Sequence, residues 1–297
     1  MKIASMTSSF YSCRGREGKI TYNESIRRLK EAGFEHVDLN LADIDNSLNM
    51  FHGDDWEQKA HALREDAERI GVKFVQSHAP YNPRRSFKPF PPEYKEHFQE
   101  LLMRSQRISE ICGVPNTVVH PLATSDTPMD DIDSQVQFNY ECYEEFLNRC
   151  DSAGMCTCFE NMTSGFGPFA THLLELVKAG KDHNVAACWD FGHGELMYPK
   201  RAWSDADQTA GIRMLKGYIR AVHVHDNLGK DDNHLLPFLG IVEWEKVLPA
   251  LRESGFTGDL VFEIKQNANM PYELMDDSMR FCATVGKKLI ELFEGGN

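Results

Sequence analysis

The sequence predicts a single (β/α)8 barrel spanning residues 1–297. One unit recurs along the chain: a short run rich in β-branched residues, a polar loop, and an amphipathic stretch that ends near a glycine. Eight such units of roughly 30 residues or slightly more match a closed barrel. The segment after the first run, residues 6–10, has no GxGxxG pattern. Its absence disfavours the alternative, a doubly wound open sheet.

Strands and helices alternate, and several strand-like runs are almost continuously apolar, as expected for parallel strands covered on both faces. The predicted strands are 2–5, 36–40, 73–77, 117–120, 156–160, 185–190, 219–225 and 259–264. The predicted helices are 25–32, 56–70, 94–112, 133–153, 171–179, 205–215, 243–253 and 272–293. The long loops 80–92 and 226–240 follow the third and seventh strands, on the face where barrel enzymes carry their active sites.

Composition narrows the class of protein. Hydrophobic residues make up 41% and charged residues 26%, which is typical of a globular chain. We find no signal-peptide pattern and no apolar run near the ~20 residues of a membrane span, so we expect a cytoplasmic protein without a membrane partner. The net charge of −13 disfavours a nucleic-acid partner, although it does not exclude a local basic groove. The protein could also form a homo-oligomer. The eight scattered cysteines are expected to be buried thiols.

Polar side chains occur at or just past the carboxyl end of one predicted strand after another. They are His78, His120, Glu160, Asp190, His193, His223, His225 and Glu263. Because barrel strands converge at that end, these side chains are expected to meet in space. Singly each has an ordinary explanation: a solvated loop carboxylate, a turn-capping aspartate, or a loop histidine in the Asp-Phe-Gly-His segment 190–193. Together they predict a site.

The composition of the set predicts a metal centre. His223 and His225 flank Val224, so they share one face of the strand, and we predict that His225 binds the ion while His223 supports it. With Glu160, Asp190 and Glu263, the ligands are three carboxylates and one imidazole. This set suits one divalent ion, Mn²⁺ first, with Mg²⁺, Co²⁺ or Zn²⁺ open. Glu160 and Glu263 are also the predicted catalytic pair, because opposed carboxylates can act as base and acid.

Six stretches carry a family resemblance. They are SHAPYNP (77–83), VVHP (118–121), FENM (159–162), WDFGH (189–193), HVHDN (223–227) with GKDDNHLLPFLG (229–240), and LVFEIK (260–265). With them the chain resembles the xylose isomerase-like barrels, which include sugar isomerases and epimerases, inosose dehydratases and endonuclease IV. The later blocks are similar to the sugar phosphate isomerase/epimerase branch. The resemblance implies the four ligands above and a proton-transferring Glu160–Glu263 pair.

The resemblance also implies that His193 contacts the substrate beside the metal. The other predicted substrate-binding residues are His78, His120, His223, Lys265, Asp232 and His234. Two positions depart from the ketose epimerases: Phe166 stands where they carry a glutamate and Asp231 where they carry an arginine. These departures put a ketose 3-epimerase itself in doubt.

The expected function is a divalent-metal-dependent isomerase or epimerase of a sugar, phosphorylated or not, that removes a proton next to a carbonyl through a metal-stabilised enediolate. A keto-sugar dehydratase or lyase would share the first step. Endonuclease IV holds three zinc ions with a fuller ligand set, and this chain offers matching residues. They are His78, His120, Glu160, Asp190, His193, His223, Asp232, His234 and Glu263. A non-catalytic barrel is the remaining alternative.

Two further groups of residues are candidates for the pocket. Arg84, Arg85 and Lys88 form a basic patch that could bind a phosphate or a sugar acid. Several aromatic side chains are candidates for apolar packing near the pocket, although most of them are expected to fill the core. They are Phe10, Tyr11, Phe87, Phe90, Trp189, Phe238 and Trp244.

Overall fold

The fold is a closed barrel of eight parallel strands. The computed structural model describes residues 1–10, 20–81, 92–124, 128–198, 207–265 and 270–295. The strands are hydrogen-bonded in chain order and the last strand pairs with the first, so the predicted (β/α)8 barrel is confirmed. The strands are β1 Ile3–Met6, β2 His36–Asn40, β3 Lys73–His78, β4 Asn116–Val119, β5 Cys156–Glu160, β6 Val185–Asp190, β7 Ile219–Val224 and β8 Leu260–Phe262.

Helices connect the strands. They are α1 Tyr22–Ala32, α2 Trp56–Ile70, α3 Pro92–Ile111, α4 Ile132–Ser152, α5 Ala170–Ala179, α6 Phe191–Met197, α7 Gln208–Met214, α8 Trp244–Glu253 and α9 Met275–Glu294. Short 3-10 helices cover Thr7–Phe10 and Tyr272–Leu274. Among the described residues no helix is long and apolar enough to cross a membrane. Of the predicted helix 205–215, positions 205 and 206 lie outside the described residues.

One predicted loop is instead a helix. The Asp-Phe-Gly-His segment after β6 continues directly into α6, because the Asp190 carboxylate accepts a hydrogen bond from the His193 backbone N–H and caps the first turn. The prediction of a loop at 190–193 was therefore wrong. The glycines there serve close packing, since a Cβ on Gly192 would approach His225 to within 2.0 Å.

The core lies in two places. Outward-facing strand residues such as Phe159, Trp189 and Phe262 pack against the helix layer and are fully buried. A smaller cluster fills the barrel interior. Its members are Val118, Cys156, Cys158, Ala186, Cys188 and Ala221. All seven cysteines of the described residues are buried and free, which agrees with their predicted role as reduced thiols. The interior below the site is therefore largely apolar on the β4–β7 side.

Candidate metal centre

A cavity of about 470 Å³ opens at the carboxyl end of the barrel. Its size falls within the roughly 300–1,000 Å³ typical of small-molecule sites. Eight of the predicted site residues line it: His78, His120, Glu160, His193, Asp232, His234, Glu263 and Lys265. The other three, Asp190, His223 and His225, are fully buried directly behind this lining. The eleven predicted residues therefore do converge, although they are dispersed along the chain.

The first group of ligand-type side chains, the central cluster, consists of Glu160, Asp190, His223 and Glu263. One oxygen of Glu160 and one of Glu263 each lie 2.9 Å from His223 Nδ1. Asp190 Oδ2 lies 3.7 Å from the same nitrogen. One oxygen from each carboxylate and this nitrogen lie within 4.8 Å of one another. Three of the four predicted metal ligands are thus brought together, with His223 in the place predicted for His225.

His225 belongs to a second group, the mouth cluster, with His193, Asp232 and His234. Asp232 Oδ2 lies 2.8 Å from His234 Nε2 and 3.4 Å from His193 Nε2. The rings of His225 and His234 stack at 4.1 Å. His225 also touches the central cluster, because its Nε2 lies 2.9 Å from Asp190 Oδ2. Asp190 therefore links the central cluster to the mouth cluster.

A third group, the side cluster, consists of His78, His120 and Glu160. The two imidazole Nε2 atoms are 3.2 Å apart, and Glu160 Oε2 lies 3.4 Å and 3.2 Å from them respectively. Glu160 therefore belongs to two clusters and is only 1% exposed. With Asp190 joining the central and mouth clusters, the three groups form one continuous network of carboxylates and imidazoles.

The carboxylates and imidazoles of the network strongly shift one another's pKa values. Burial would raise the pKa of Glu160, but the charges and hydrogen bonds of His223, His120 and His78 hold it well below its usual range. The pKa of Glu263 is lowered in the same way, against burial, mainly by His223 and His234. Burial likewise opposes charge on His193, yet Asp190 and Asp232 raise its pKa to about 10. Without an ion, imidazolium charge is what compensates the buried carboxylates.

Several atoms of the network fit a divalent ion. Within the described part of the chain, His225 Nδ1 is buried without a hydrogen-bond partner, while Glu160 Oε2 and Asp232 Oδ1 are buried and approached only by imidazole nitrogens at 3.2–3.8 Å. Bare buried carboxylate oxygens are costly unless they are paired or bind a metal. Carboxylate oxygens with imidazole nitrogens suit Mn²⁺, Zn²⁺ and ions of similar hardness. The central and mouth clusters each offer four such donors, and the central cluster, with three carboxylates to balance the charge of a divalent ion, is the better fit.

Asn161 is not among the predicted site residues, yet it fixes the position of the network. Its side chain accepts from the Asp190 backbone N–H at 2.6 Å and donates to the Asp190 carbonyl at 2.9 Å. Its own backbone carbonyl lies 2.8 Å from His193 Nδ1. Buried amides of this kind fix the side chains around a metal centre. Its position directly after Glu160, at the end of β5, was the available signal.

The loop 226–240 brings Asp232 and His234 to the mouth cluster, and Asp226 anchors it. The Asp226 carboxylate accepts from the backbone N–H groups of residues 227, 238 and 242 and from Trp244 Nε1. The loop carries backbone strain, with φ of 49° at His234 and 72° at Phe238. The predicted functional role of this loop thus depends on one buried carboxylate.

We expect Asp226→Ala to lower the free energy of unfolding by roughly 3–5 kcal/mol, because four donors, three of them in buried hydrogen bonds, lose their acceptor. Urea denaturation of the purified variant measures it. Asp231→Ala, an exposed change in the same loop, is the control and should stay within about 0.5 kcal/mol of wild type. Equal stability of Asp226→Ala and the control would contradict this view of the loop.

The aromatic and basic candidates for the pocket do not line the cavity where the structure describes them. Phe10, Trp189 and Trp244 are buried in the core, and Phe238 is 43% exposed; none of the four lines the cavity. The cavity lining includes Asn40 and Tyr81, which the sequence analysis did not select. Asn40 ends β2 and follows the same strand-end rule. Tyr11, Phe87 and Phe90, and the basic patch Arg84, Arg85 and Lys88, lie outside the described residues.

Phe166 and Asp231, the two residues that differ from those of the ketose epimerases, lie in different environments. Phe166 is fully buried and stacks on His172 at 4.7 Å, so it fills the core. Asp231 is exposed at the loop surface, one residue before Asp232 of the mouth cluster. Neither side chain lines the cavity. The positions where those epimerases carry a glutamate and an arginine therefore contribute no lining group here.

Comparisons with known proteins agree with this architecture. The uncharacterized protein y4fM of Sinorhizobium fredii is 25% identical over 266 residues, 82% of each chain. A D-tagatose 3-epimerase-like protein superposes with a TM-score of 0.72 at 20% identity, covering 99% of this chain and 98% of that one. A D-psicose 3-epimerase gives 0.73 at 13% identity, covering 98% and 99%. At such identities the structures share the fold.

The sequence model of the xylose isomerase-like TIM barrel family matches residues 26–285 of the chain. The chain belongs to this family.

Proposed function

We propose that the protein is a divalent-metal-dependent sugar isomerase or epimerase that moves a proton on a carbon next to a carbonyl. One observation carries the proposal: Glu160 and Glu263 both line the cavity and both approach His223 Nδ1 to 2.9 Å. Two carboxylates thus face the same enclosed space from β5 and from the end of β8. The sugar epimerases among the structural neighbours support a keto-sugar as the substrate class.

In this reaction Glu160, Asp190, His223 and Glu263 would hold the ion, with Mn²⁺ as the first expectation and Mg²⁺, Co²⁺ or Zn²⁺ as alternatives. A bound ion would supply Lewis-acid polarisation of the sugar carbonyl. One of Glu160 and Glu263 takes the α-proton and becomes neutral.

The pKa values of Glu160 and Glu263 are both low, so both groups begin as carboxylates, and a group that returns a proton must first receive one. In an isomerisation, the glutamic acid formed by the first transfer returns its own proton to the neighbouring carbon. In an epimerisation, the opposite carboxylate receives a proton from the imidazole of raised pKa beside it, His78 for Glu160 or His234 for Glu263, and delivers it to the other face of the carbon. The first glutamic acid then loses its proton to solvent and the imidazole regains one.

Deuterium exchange tests the proposal. Candidate ketoses and keto-sugars, with and without phosphate, are incubated with the protein and each divalent ion in D2O, and NMR follows loss of the C–H signal. Exchange of one α-hydrogen is expected with at least one sugar, and its position identifies the carbon. Glu263→Gln is the matched variant and should not exchange. Absence of exchange across the sugars, in a protein shown to bind the ion, would rule the function out.

A second candidate, metal-dependent hydrolysis of a phosphodiester, rests on the three linked clusters. The central, mouth and side clusters use every residue that endonuclease IV would require for three zinc ions, with His225 in addition. A cluster of metals can generate a hydroxide that attacks phosphorus. Against it, the net charge is −13, and Lys265 is the one lysine or arginine among the described lining residues. A polyanionic duplex favours a basic surface instead.

Metal stoichiometry separates the two candidates. The protein is loaded with each ion, freed of excess by gel filtration and analysed for metal per chain. About one ion per chain supports the isomerase, and about three zinc ions with cleavage of an abasic-site duplex support the hydrolase. One ion without cleavage would exclude the hydrolase.

Metal binding should release protons at neutral pH. Against the effect of burial, neighbouring carboxylates hold the pKa of His223 well above its ordinary value and raise that of His193 to about 10, so these two rings are charged when no ion is bound. A ring must lose a proton before its nitrogen binds a metal, so affinity should rise with pH. Titration calorimetry in buffers of different ionisation enthalpy counts the protons. We expect at least one per ion near pH 7; a count of zero would contradict the assigned charges.

A further inference from the structure

Below the metal centre lies a second layer of inward-facing polar residues. Side chains two apart on a strand share a face, so Asp38 lies one step below Asn40 on β2, and Gln76 one step below His78 on β3. Asn40 and His78 both line the cavity. Asp38 and Gln76 are registered with each other across β2 and β3. His223 has the same relation to His225 on β7.

These three residues leave polar atoms without partners. Both Asp38 carboxylate oxygens, Gln76 Nε2 and His223 Nε2 are buried and lack a hydrogen bond within the described residues. Asp38 and His223 are 0% exposed and Gln76 is 2% exposed. Buried polar groups are nearly always hydrogen-bonded, and an isolated carboxylate in an apolar interior is especially costly. Because these atoms lie on one side of the barrel interior, a single shared hydrogen-bond partner could satisfy them.

The groups are complementary. The amide of Gln76 and the Nε2–H of His223 are donors, while Asp38 offers only acceptors when it is ionised. Burial raises the pKa of Asp38 to about 6, and this is opposed first by the charge of His223, then by that of His78 and by the Gln76 side chain. The His223 ring also stacks on the His78 ring at 5.7 Å, which brings it to the β2–β3 side of the interior, where Asp38 and Gln76 lie. The other inward residues at this depth, such as Val118 and Cys158, belong to the interior apolar cluster.

We propose that Asp38 is a positioning residue that holds His223 through one buried water molecule shared with Gln76. The water accepts hydrogen bonds from His223 Nε2 and from the Gln76 amide, and it donates to the Asp38 carboxylate. Three polar partners are within the two to four that a buried water requires. With the proton fixed on Nε2, the lone pair of His223 lies on Nδ1, the atom that faces Glu160 and Glu263.

The consequence concerns metal binding and is independent of which reaction follows. Carboxylates that orient a metal-binding histidine from behind typically change metal affinity by about 10- to 100-fold when they are removed. Without Asp38, the His223 ring would populate two protonation patterns and two orientations. Only some of these states present an unprotonated Nδ1 to the ion. Asp38 is thus expected to set how tightly the central cluster holds its ion.

The first test measures the dissociation constant for Mn²⁺ and Zn²⁺ by equilibrium dialysis. Asp38→Ala should raise it about 10- to 100-fold, and Asp38→Asn, which keeps the shape but loses the charge, should raise it less. Val118→Ala removes apolar atoms from the same interior and is the matched control, expected to bind the ion like wild type. Circular dichroism verifies that each variant is folded. Equal affinities for Asp38→Ala and Val118→Ala would overturn the proposal.

The second test needs no Asp38 variant. Wild-type protein with ¹⁵N-labelled histidine is loaded with Zn²⁺, and the His223 ring is assigned by its loss in His223→Gln. A metal-bound Nδ1 and a protonated Nε2 whose hydrogen exchanges slowly with solvent are expected. A proton on Nδ1, or a rapidly exchanging Nε2–H, would overturn the proposal. Because neither test uses a sugar, a protein that holds His223 this way but exchanges no ketose hydrogen would disprove only the proposed function.

Discussion

Replacing Glu160 by glutamine is expected to abolish most of the activity, lowering the rate of C–H exchange by roughly 10²–10⁴-fold, the usual contribution of a general acid or base. The loss should be accompanied by weaker metal binding, because Glu160 joins the central and side clusters. His78, His120 and His223 all lie within 3.4 Å of its carboxylate oxygens. An amide keeps the shape but removes the charge that these imidazoles surround.

Exchange rates in D2O and metal content, measured on the same preparation, separate the two effects. If the variant regains full metal content at high ion concentration and stays slow, the loss is catalytic. Glu195→Gln is the control: this half-buried carboxylate in α6 accepts a hydrogen bond from Gln208 and lies outside the three clusters. It should exchange at close to the wild-type rate. Exchange in Glu160→Gln within a few-fold of wild type would remove Glu160 from the mechanism.

The arrangement of the barrel could be predicted because it depends on short-range patterns. Strands buried on both faces read as apolar runs, and glycine ends helices such as α1 and α2, where Gly33 and Gly71 adopt φ of 107° and 75°. The convergence of Glu160, Asp190 and Glu263 follows from the same pattern, because the first two end strands of a closed parallel sheet and Glu263 directly follows one. Position at the strand end therefore carried much of the information about the site.

Depth within the barrel could not be predicted in the same way. Residues two apart on a strand point to the same side but differ by about 6.6 Å along it, and only the tilt of the strands decides which one reaches the ion. His223 and His225 are such a pair. Asp38 is another case, since an inward carboxylate in the middle of β2 has no local signal of its partners across the barrel. The α6 helix was missed because a seven-residue segment with two glycines has weak helical propensity.

The pair His223 and His225 gives the sharpest test of this difference in depth. We expect His223→Asn to weaken binding of the tightest ion by more than about 100-fold, beyond the range typical of supporting residues. His223 is the imidazole that shares the central cluster with three carboxylates. His225→Asn should cost less than about tenfold, because it loses only a contact to Asp190 and its place in the mouth cluster.

Both variants change one imidazole to an amide, and both positions are fully buried, so each controls for the other's loss of volume and hydrogen bonding. Dialysis against Mn²⁺ and Zn²⁺ provides the dissociation constants, and urea denaturation without metal establishes that the two folds are equally stable. The reverse order of affinities would restore the ligand set predicted from the sequence, with His225 at the ion. Equal large losses would mean that His223 and His225 both hold the ion in place, since Asp190 contacts both histidines, and the central cluster would then not bind the ion by itself.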